Sequence, residues 1–117
     1  MHQFKELKVW QKSKELAVDV YKITRQFPQS ETFALTSQVQ RAVISISSNI
    51  AEGSGRHTDK EFARFLDIAN GSAYEVESLL CISADLEFIS SNQFNELSAQ
   101  LSEIQKMLYS LKKSLKI

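Results

Sequence analysis

Apolar side chains recur at alternating steps of three and four residues along the end of the chain. The pattern is unbroken over Phe94, Leu97, Leu101, Ile104, Leu108, Leu111 and Leu115. Such spacing keeps every apolar residue on one side of a helix, and it is typical of a helix packed nearly parallel to its neighbours. With only three Gly and one Pro among 117 residues, the chain has too few turn-forming residues for a β-sandwich or barrel. The sequence therefore predicts an all-α protein.

Three further helices are indicated by the same kind of spacing. Their apolar stripes run through Leu16, Val20, Ile23 and Phe27; through Leu35, Val39, Ala42, Val43, Ile46 and Ile50; and through Phe62, Phe65, Leu66, Ala69, Ala73, Val76, Leu79, Leu80, Ser83 and Leu86. We predict helices over residues 7–26, 33–54, 59–88 and 92–115. Because the loops at Pro28, Gly55 and Ser91 are short, we expect residues 1–117 to form a single domain, an antiparallel up-and-down four-helix bundle.

Several residues predict where helices begin, end or touch. Thr58 with Glu61, and Ser90 with Gln93, have the spacing of capping boxes at helix N-termini. The glycines Gly53 and Gly55 are expected to end the second helix. Gly71 interrupts the third helix, where glycine costs about 1 kcal/mol relative to alanine. It is therefore expected to mark a close approach by another backbone.

Charge, hydropathy and cysteine content indicate the cellular compartment in which the protein is expected. The chain has 14 basic and 14 acidic residues and no net charge, so no overall electrostatic attraction to nucleic acid or membrane is expected. No apolar run is long enough to span a bilayer, and the first residues lack the pattern of a secretory signal. Cys81 is the only cysteine, which suits a reducing compartment. We expect a cytoplasmic protein with no membrane partner.

The second helix carries an unusual polar stripe beside its core face. It consists of Arg41, Ser45, Asn49, Glu52 and Arg56, which helical periodicity places within about 80° of arc. Polar groups beside a core need internal partners. Arg41 and Arg56 could pair with Glu52, and Asn49 with Ser45, along the helix, or these residues could pair with Glu75 and Glu77 of the third helix. We interpret these residues as a structural network that fixes helix register or a subunit contact. A site that contacts a ligand or RNA is the alternative.

The outer side of the second helix is nearly uncharged, because only Arg41 and Glu52 carry charge between Ala34 and Gly55. A helix at the surface of a small bundle normally shows a charged face. Exposure of this Ser-rich side to solvent is one explanation, and contact with a second subunit explains more. The candidate oligomer contacts are Ile44, Ser48, Ala51, Ile68 and Ile82.

The residues that support common enzyme chemistry are not arranged for it. Neither histidine follows a Glu by three residues, as metal-carboxylate bundles require. Cys81 has no histidine near it in sequence to act as its base. We predict no catalytic, metal or cofactor site, no small-molecule substrate, and hence a protein that is not an enzyme.

The arrangement of several motifs resembles one known family. The motifs are Trp10-Gln11, Phe27-Pro28 with Glu31, Leu35 with Gln38, Arg41-Ala42 with Ser45-Ile46, Asn49-Ile50-Ala51-Glu52-Gly53, Arg56, Phe65-Leu66 with Ile68-Ala69, Gly71-Ser72, and Glu75 with Glu77. They cover nearly the whole chain. They resemble the four-helix bundle family encoded in intervening sequences of bacterial 23S rRNA genes, also called S23 ribosomal protein-like.

The resemblance implies a homopentameric barrel of bundles. It also implies a similarity in fold to the accessory variability determinant of diversity-generating retroelements, a basic pentamer that binds nucleic acid and a reverse transcriptase. Two departures are visible: Ser47 stands where proline is common in the family, and this chain is neutral whereas the retroelement protein is basic.

Two functional hypotheses follow. In the first, the protein is a homo-oligomeric scaffold that binds RNA or an RNA-processing protein. Its candidate nucleic-acid contacts are Lys5, Lys8, Lys12, Lys112, Lys113 and Lys116, of which the first three are expected to share a helical face. In the second, it is a protein–protein assembly module with no nucleic-acid role, and the lysines serve only solubility.

Overall fold

The computed structural model describes residues 2–117, and it has no strand in that range. Its four α-helices are α1 (Lys8–Thr24), α2 (Leu35–Ser54), α3 (Asp59–Asp85) and α4 (Ser91–Ser114). Short 3₁₀ turns, Phe4–Glu6 and Gln29–Glu31, precede α1 and α2. The predicted all-α fold with four helices is confirmed. No helix among the described residues combines the length and apolar character needed to cross a membrane.

Contacts near the helix ends show that neighbouring helices run in opposite directions. In each pair, a residue at the end of one helix meets a residue at the start of the other. These contacts are Gln40 with Thr24 for α1 and α2, Gly53 with Phe65 for α2 and α3, Lys116 with Asp59 for α3 and α4, and Gln26 with Gln93 for α1 and α4. The molecule is an antiparallel bundle measuring 44 × 24 × 20 Å.

The apolar stripes of all four helices meet in one core. The largest fully buried side chains include Leu16, Ile46, Phe62, Leu80 and Leu101. Burial of a large aliphatic or aromatic side chain contributes about 1.5–3 kcal/mol, so this core is what stabilises the bundle. The stripes therefore identified the inward faces correctly, with Leu86 as the exception.

The end of α3 explains why Leu86 is not in the core. The helix ends at Asp85, three residues before the predicted limit, and Leu86 is 52% exposed. Glu87 adopts a φ of 63°, the left-handed region. The N–H of Phe88 donates to the carbonyl of Ser83, and the N–H of Glu87 donates to that of Ala84, which is the Schellman pattern. Glycine usually occupies the left-handed position. Because Glu87 stands there instead, the sequence did not indicate that the helix ends at this point.

The glycines have roles different from those predicted. Gly53 does not end α2; it lies inside the helix and is buried. A Cβ atom there would lie 2.6 Å from Cβ of Phe65 and 2.9 Å from Cδ1 of Phe62, so α2 and α3 approach most closely at this point. Gly55 follows the helix as its C-cap with a φ of −87°. The close approach predicted at Gly71 is wrong within one bundle, because a Cβ there would meet nothing within 4 Å.

The predicted capping box forms completely at the start of α4 and by its hydroxyl half at the start of α3. At the start of α4, the hydroxyl of Ser90 accepts a hydrogen bond from the N–H of Gln93, and the Gln93 side chain accepts one from the N–H of Ser90. The hydroxyl of Thr58 accepts a bond from the N–H of Glu61 at the start of α3. Each cap satisfies an N–H group that has no partner inside its helix.

Candidate interaction surfaces

Part of the polar stripe of α2 joins α2 to α3. The hydroxyls of Ser45 and Ser72 lie 2.8 Å apart across the two helices. The Asn49 amide donates to both the carbonyl and the hydroxyl of Ser45, at 2.8 and 3.0 Å. One turn further along, Arg56 donates to Glu52 at 3.0 Å in an exposed ion pair. Ser45, Asn49 and Ser72 therefore form a small hydrogen-bonded cluster in the α2–α3 seam.

The stripe does not extend into a network with the carboxylates of α3. Among residues 2–117, Arg41, Glu75 and Glu77 take part in none of the side-chain hydrogen bonds or ion pairs. Arg41 and Glu75 are exposed and Glu77 is half-buried. Glu77 lies about 140° around α3 from Ser72 at helical periodicity, on the side of α4. The pairing of Arg41 or Arg56 with these two carboxylates is therefore wrong. The alternative, pairing along α2, is confirmed for Arg56 with Glu52 and for Asn49 with Ser45. The partner that α3 supplies is Ser72.

The predicted oligomer contacts lie on both sides of α2. Ile44 is 41% exposed, Ile68 40% and Ile82 47%. Ser48 is exposed on the outer side of α2, and Ala51 is half-buried. Ile44 faces α1, while Ile68 and Ile82 belong to α3. The structure thus divides these residues between two surfaces separated by α2.

The first surface is a groove between α1 and α2 with a volume of about 380 Å³. We call it the α1/α2 groove. It is lined by Lys14, Ala17, Val18, Tyr21, Lys22, Arg25, Ile44 and Ser47. Val18 is 47% exposed and Tyr21 42%, so the floor of the groove is apolar and its rim carries three cations. None of these cations forms an ion pair with the described residues.

The second surface lies on α3, next to the line of residues that contacts α2. We call it the α3 face and define it as Ile68, Gly71, Glu75 and Ile82, all exposed. Phe65 and Ser72 of α3 both meet α2. Ile68 lies three residues after Phe65, and Glu75 lies three residues after Ser72. A step of three residues turns the helix by about 300°, which is about 60° short of a full turn. The α3 face is therefore turned outward, beside α2.

The candidate nucleic-acid lysines gather at one end of the bundle, where α1 begins and α4 ends. Two of them have carboxylate partners: Lys12 lies 3.7 Å from Glu103, and Lys112 lies 2.8 Å from Asp67. Lys5 does not share a helix with Lys8 and Lys12, because it belongs to the separate Phe4–Glu6 turn. The expected common helical face is wrong, since the extended backbone of Leu7 separates the two elements.

The sequence analysis did not predict the part of the groove that α1 supplies, which consists of Lys14, Val18, Tyr21 and Arg25. They follow one another along α1 at positions 14, 18, 21 and 25, which is itself a helical stripe. This second stripe was the available signal. Its partner Ile44 comes from another helix, so the groove became visible only when the two helices were placed together.

The comparisons with known proteins agree with this architecture. Residues 5–110 match the family of the 23S rRNA-intervening sequence protein. A crystal structure of a protein with unknown function from the S23 ribosomal protein family of Bacteroides thetaiotaomicron VPI-5482 is similar, with a TM-score of 0.84 and 29% sequence identity over 91% of this chain and 96% of that one. No protein of curated function matched. Because the family match spans most of its length, the chain belongs to the 23S rRNA-intervening sequence protein family.

Proposed function

We propose that the protein is a non-enzymatic, cytoplasmic scaffold that works as a homo-oligomer, a pentamer by its family resemblance. The observation that carries this proposal is the pair of exposed apolar surfaces on either side of α2. The α1/α2 groove exposes Val18, Tyr21 and Ile44, and the α3 face exposes Ile68 and Ile82. Val18, Tyr21 and Ile44 adjoin one another in the groove, and adjoining exposed apolar side chains mark interaction sites more often than isolated ones do.

The composition of α2 supports the same proposal. Between the two surfaces, the outward side of α2 carries short side chains such as Ser37 and Ser48. Small side chains permit close approach of a second subunit, and few charges have to be desolvated on contact. Charged residues are also depleted from the centres of known protein–protein interfaces.

The test of self-association is sedimentation velocity of the full chain from 1 to 100 μM. We expect a species with several times the 13.3 kDa mass of one chain across most of this range. A single 13.3 kDa species at all concentrations would refute the proposal. Circular dichroism of the same samples establishes that the helices are formed.

RNA association is a second candidate role, and a specific group of cations favours it. Lys5, Lys8, Lys106, Lys113 and Lys116 form no ion pair within residues 2–117. All lie towards the end of the bundle where α1 begins and α4 ends. An oligomer multiplies such a group by its subunit number, and phosphate contacts supply most of the non-specific affinity for nucleic acid.

The RNA role is tested by titrating salt against binding of a structured ribosomal RNA fragment. If phosphates are contacted, the affinity should fall steeply between 50 and 200 mM salt. The double variant with Lys113→Gln and Lys116→Gln should weaken RNA binding. The control is Lys112→Gln, which should weaken binding less, because Lys112 is already paired with Asp67. Absence of salt-sensitive binding at low ionic strength would leave the protein–protein assembly module without an RNA role.

A further inference from the structure

We propose that the α1/α2 groove of one copy receives the α3 face of the next copy, so that the protein assembles head to tail into a closed ring. The proposal rests on the proposed self-association and specifies which two surfaces meet. The contact is heterologous: each copy uses its groove on one side of α2 and its α3 face on the other side.

Charge favours this pairing over two grooves meeting each other. The groove is rimmed by Lys14, Lys22 and Arg25 and contains no carboxylate. On the α3 face, Glu75 is exposed and forms no ion pair among residues 2–117. The cation of α3 on the same side is Arg64, one turn before Ile68, which stacks on Phe65. Two grooves placed together would oppose cation to cation, whereas groove and α3 face bring the groove cations to the Glu75 carboxylate. Complementary charges of this kind select partners and register.

Shape supports the same pairing at Gly71. Glycine destabilises the interior of an exposed helix, and nothing in this bundle requires it there, since a Cβ would meet open space. A close approach from another molecule does require a residue without a side chain. Val18, 47% exposed on the groove, is the apolar side chain that the proposal places against Gly71, beside Ile68.

The two surfaces lie at the same height along the bundle. Thr24 meets Gln40 across α1 and α2, and Ser45 meets Ser72 across α2 and α3. Because antiparallel helices have equal rise per residue, counting from these contacts places Val18 level with Gly71. The same counting places Lys22 level with Glu75.

Equal height has a consequence for the assembly. A heterologous contact generates a ring when the rotation closes and a filament when each step also advances along the axis. A groove and an α3 face at equal height need no advance along the bundle axis, so parallel copies close into a ring. Since both contacts flank α2, the outward side of α2 turns towards the ring axis. Ser37 and Ser48 then face the ring axis, where their short side chains leave room for the α2 helices of the other copies.

The test uses two single variants and their mixture. Val18→Glu places a carboxylate against the α3 face near Glu75, and Gly71→Arg places a long cationic side chain opposite the cationic groove. Both positions are exposed, so both variants should keep the circular dichroism spectrum of the parent. Each alone should sediment as a monomer. An equimolar mixture should form heterodimers, because the intact groove of one variant fits the intact α3 face of the other and the two remaining surfaces are blocked. Tyr109→Arg, at a position 68% exposed on α4, is the control and should assemble like the parent.

Each outcome decides between the proposals. A monomeric parent protein would refute self-association itself. An assembled parent whose two variants also assemble fully would keep self-association and overturn the head-to-tail contact. If either variant alone forms a dimer, or if the mixture stays monomeric while the parent assembles, the two surfaces do not meet each other and the inference is wrong.

Discussion

Gly53 and Phe65 mark the point at which α2 and α3 come closest, because a Cβ atom on Gly53 would lie 2.6 Å from Cβ of Phe65. The contact is between a helix backbone and the base of an aromatic side chain, which has little freedom to move aside. It lies in the same seam as the Ser45–Ser72 hydrogen bond. Together they explain why α2 and α3 form the most extensive helix pair in the bundle.

We predict that Gly53→Ala destabilises the protein although alanine is the better helix former. Overpacking of a filled core costs about 1–3 kcal/mol, which outweighs the gain of about 1 kcal/mol in helix propensity. Gly55→Ala is the control, since a Cβ there would meet only the Glu52 carbonyl at 3.6 Å. Urea denaturation at one fixed protein concentration measures both. Equal stability of the two variants would show that the seam can relax around the added methyl group.

The cluster at Ser45 should show coupling across the seam. We expect Ser72→Ala to cost about 1 kcal/mol, since a typical hydrogen bond contributes about 0.5–1.5 kcal/mol. In a double-mutant cycle, Ser45→Ala and Ser72→Ala should couple by at least about 0.5 kcal/mol, as residues in one network do. The exposed Ser78, replaced by alanine in place of Ser72, provides the uncoupled reference. Strict additivity of Ser45→Ala with Ser72→Ala would mean that the hydrogen bond adds nothing to stability.

The cap of α4 gives a third prediction. Ser90→Ala removes the acceptor for the N–H of Gln93, and loss of an N-cap costs about 0.5–2 kcal/mol. Ser91→Ala, one residue later and exposed, leaves the cap intact and should change the free energy of unfolding by less than half as much. Thermal unfolding followed by circular dichroism compares the two. A Ser90→Ala variant as stable as Ser91→Ala would contradict the assigned cap.

The helices and their inward faces could be predicted from the sequence because the relevant information is local. The stripe from Phe94 to Leu115 and the Ser90–Gln93 box each lie within one element, and the structure reproduces both. The end of α3 could not be predicted, since Glu87 adopts a left-handed conformation that is typical of glycine. The error of three residues there has this single cause.

The candidate surfaces were less predictable because they depend on which helices become neighbours. Ile44, Ile68 and Ile82 were recognised as lying off the core, and they are exposed. That Ile44 shares a groove with Val18 and Tyr21 follows only from the packing of α1 on α2. The close approach of another helix was predicted at Gly71, but it occurs at Gly53. The reason is the same, since helical periodicity does not say how closely another helix approaches.

Cross-linking between Val18 and Gly71 tests the central claim most directly. In a Cys81→Ser background, which removes the exposed native thiol, the variant with both Val18→Cys and Gly71→Cys should react with a short bismaleimide to give a ladder of covalent oligomers. The ladder should stop at the mass of the closed ring. Variants with either new cysteine alone should run as monomers after the same treatment. Dimers from either single-cysteine variant, or no ladder from an assembled double variant, would contradict the head-to-tail contact.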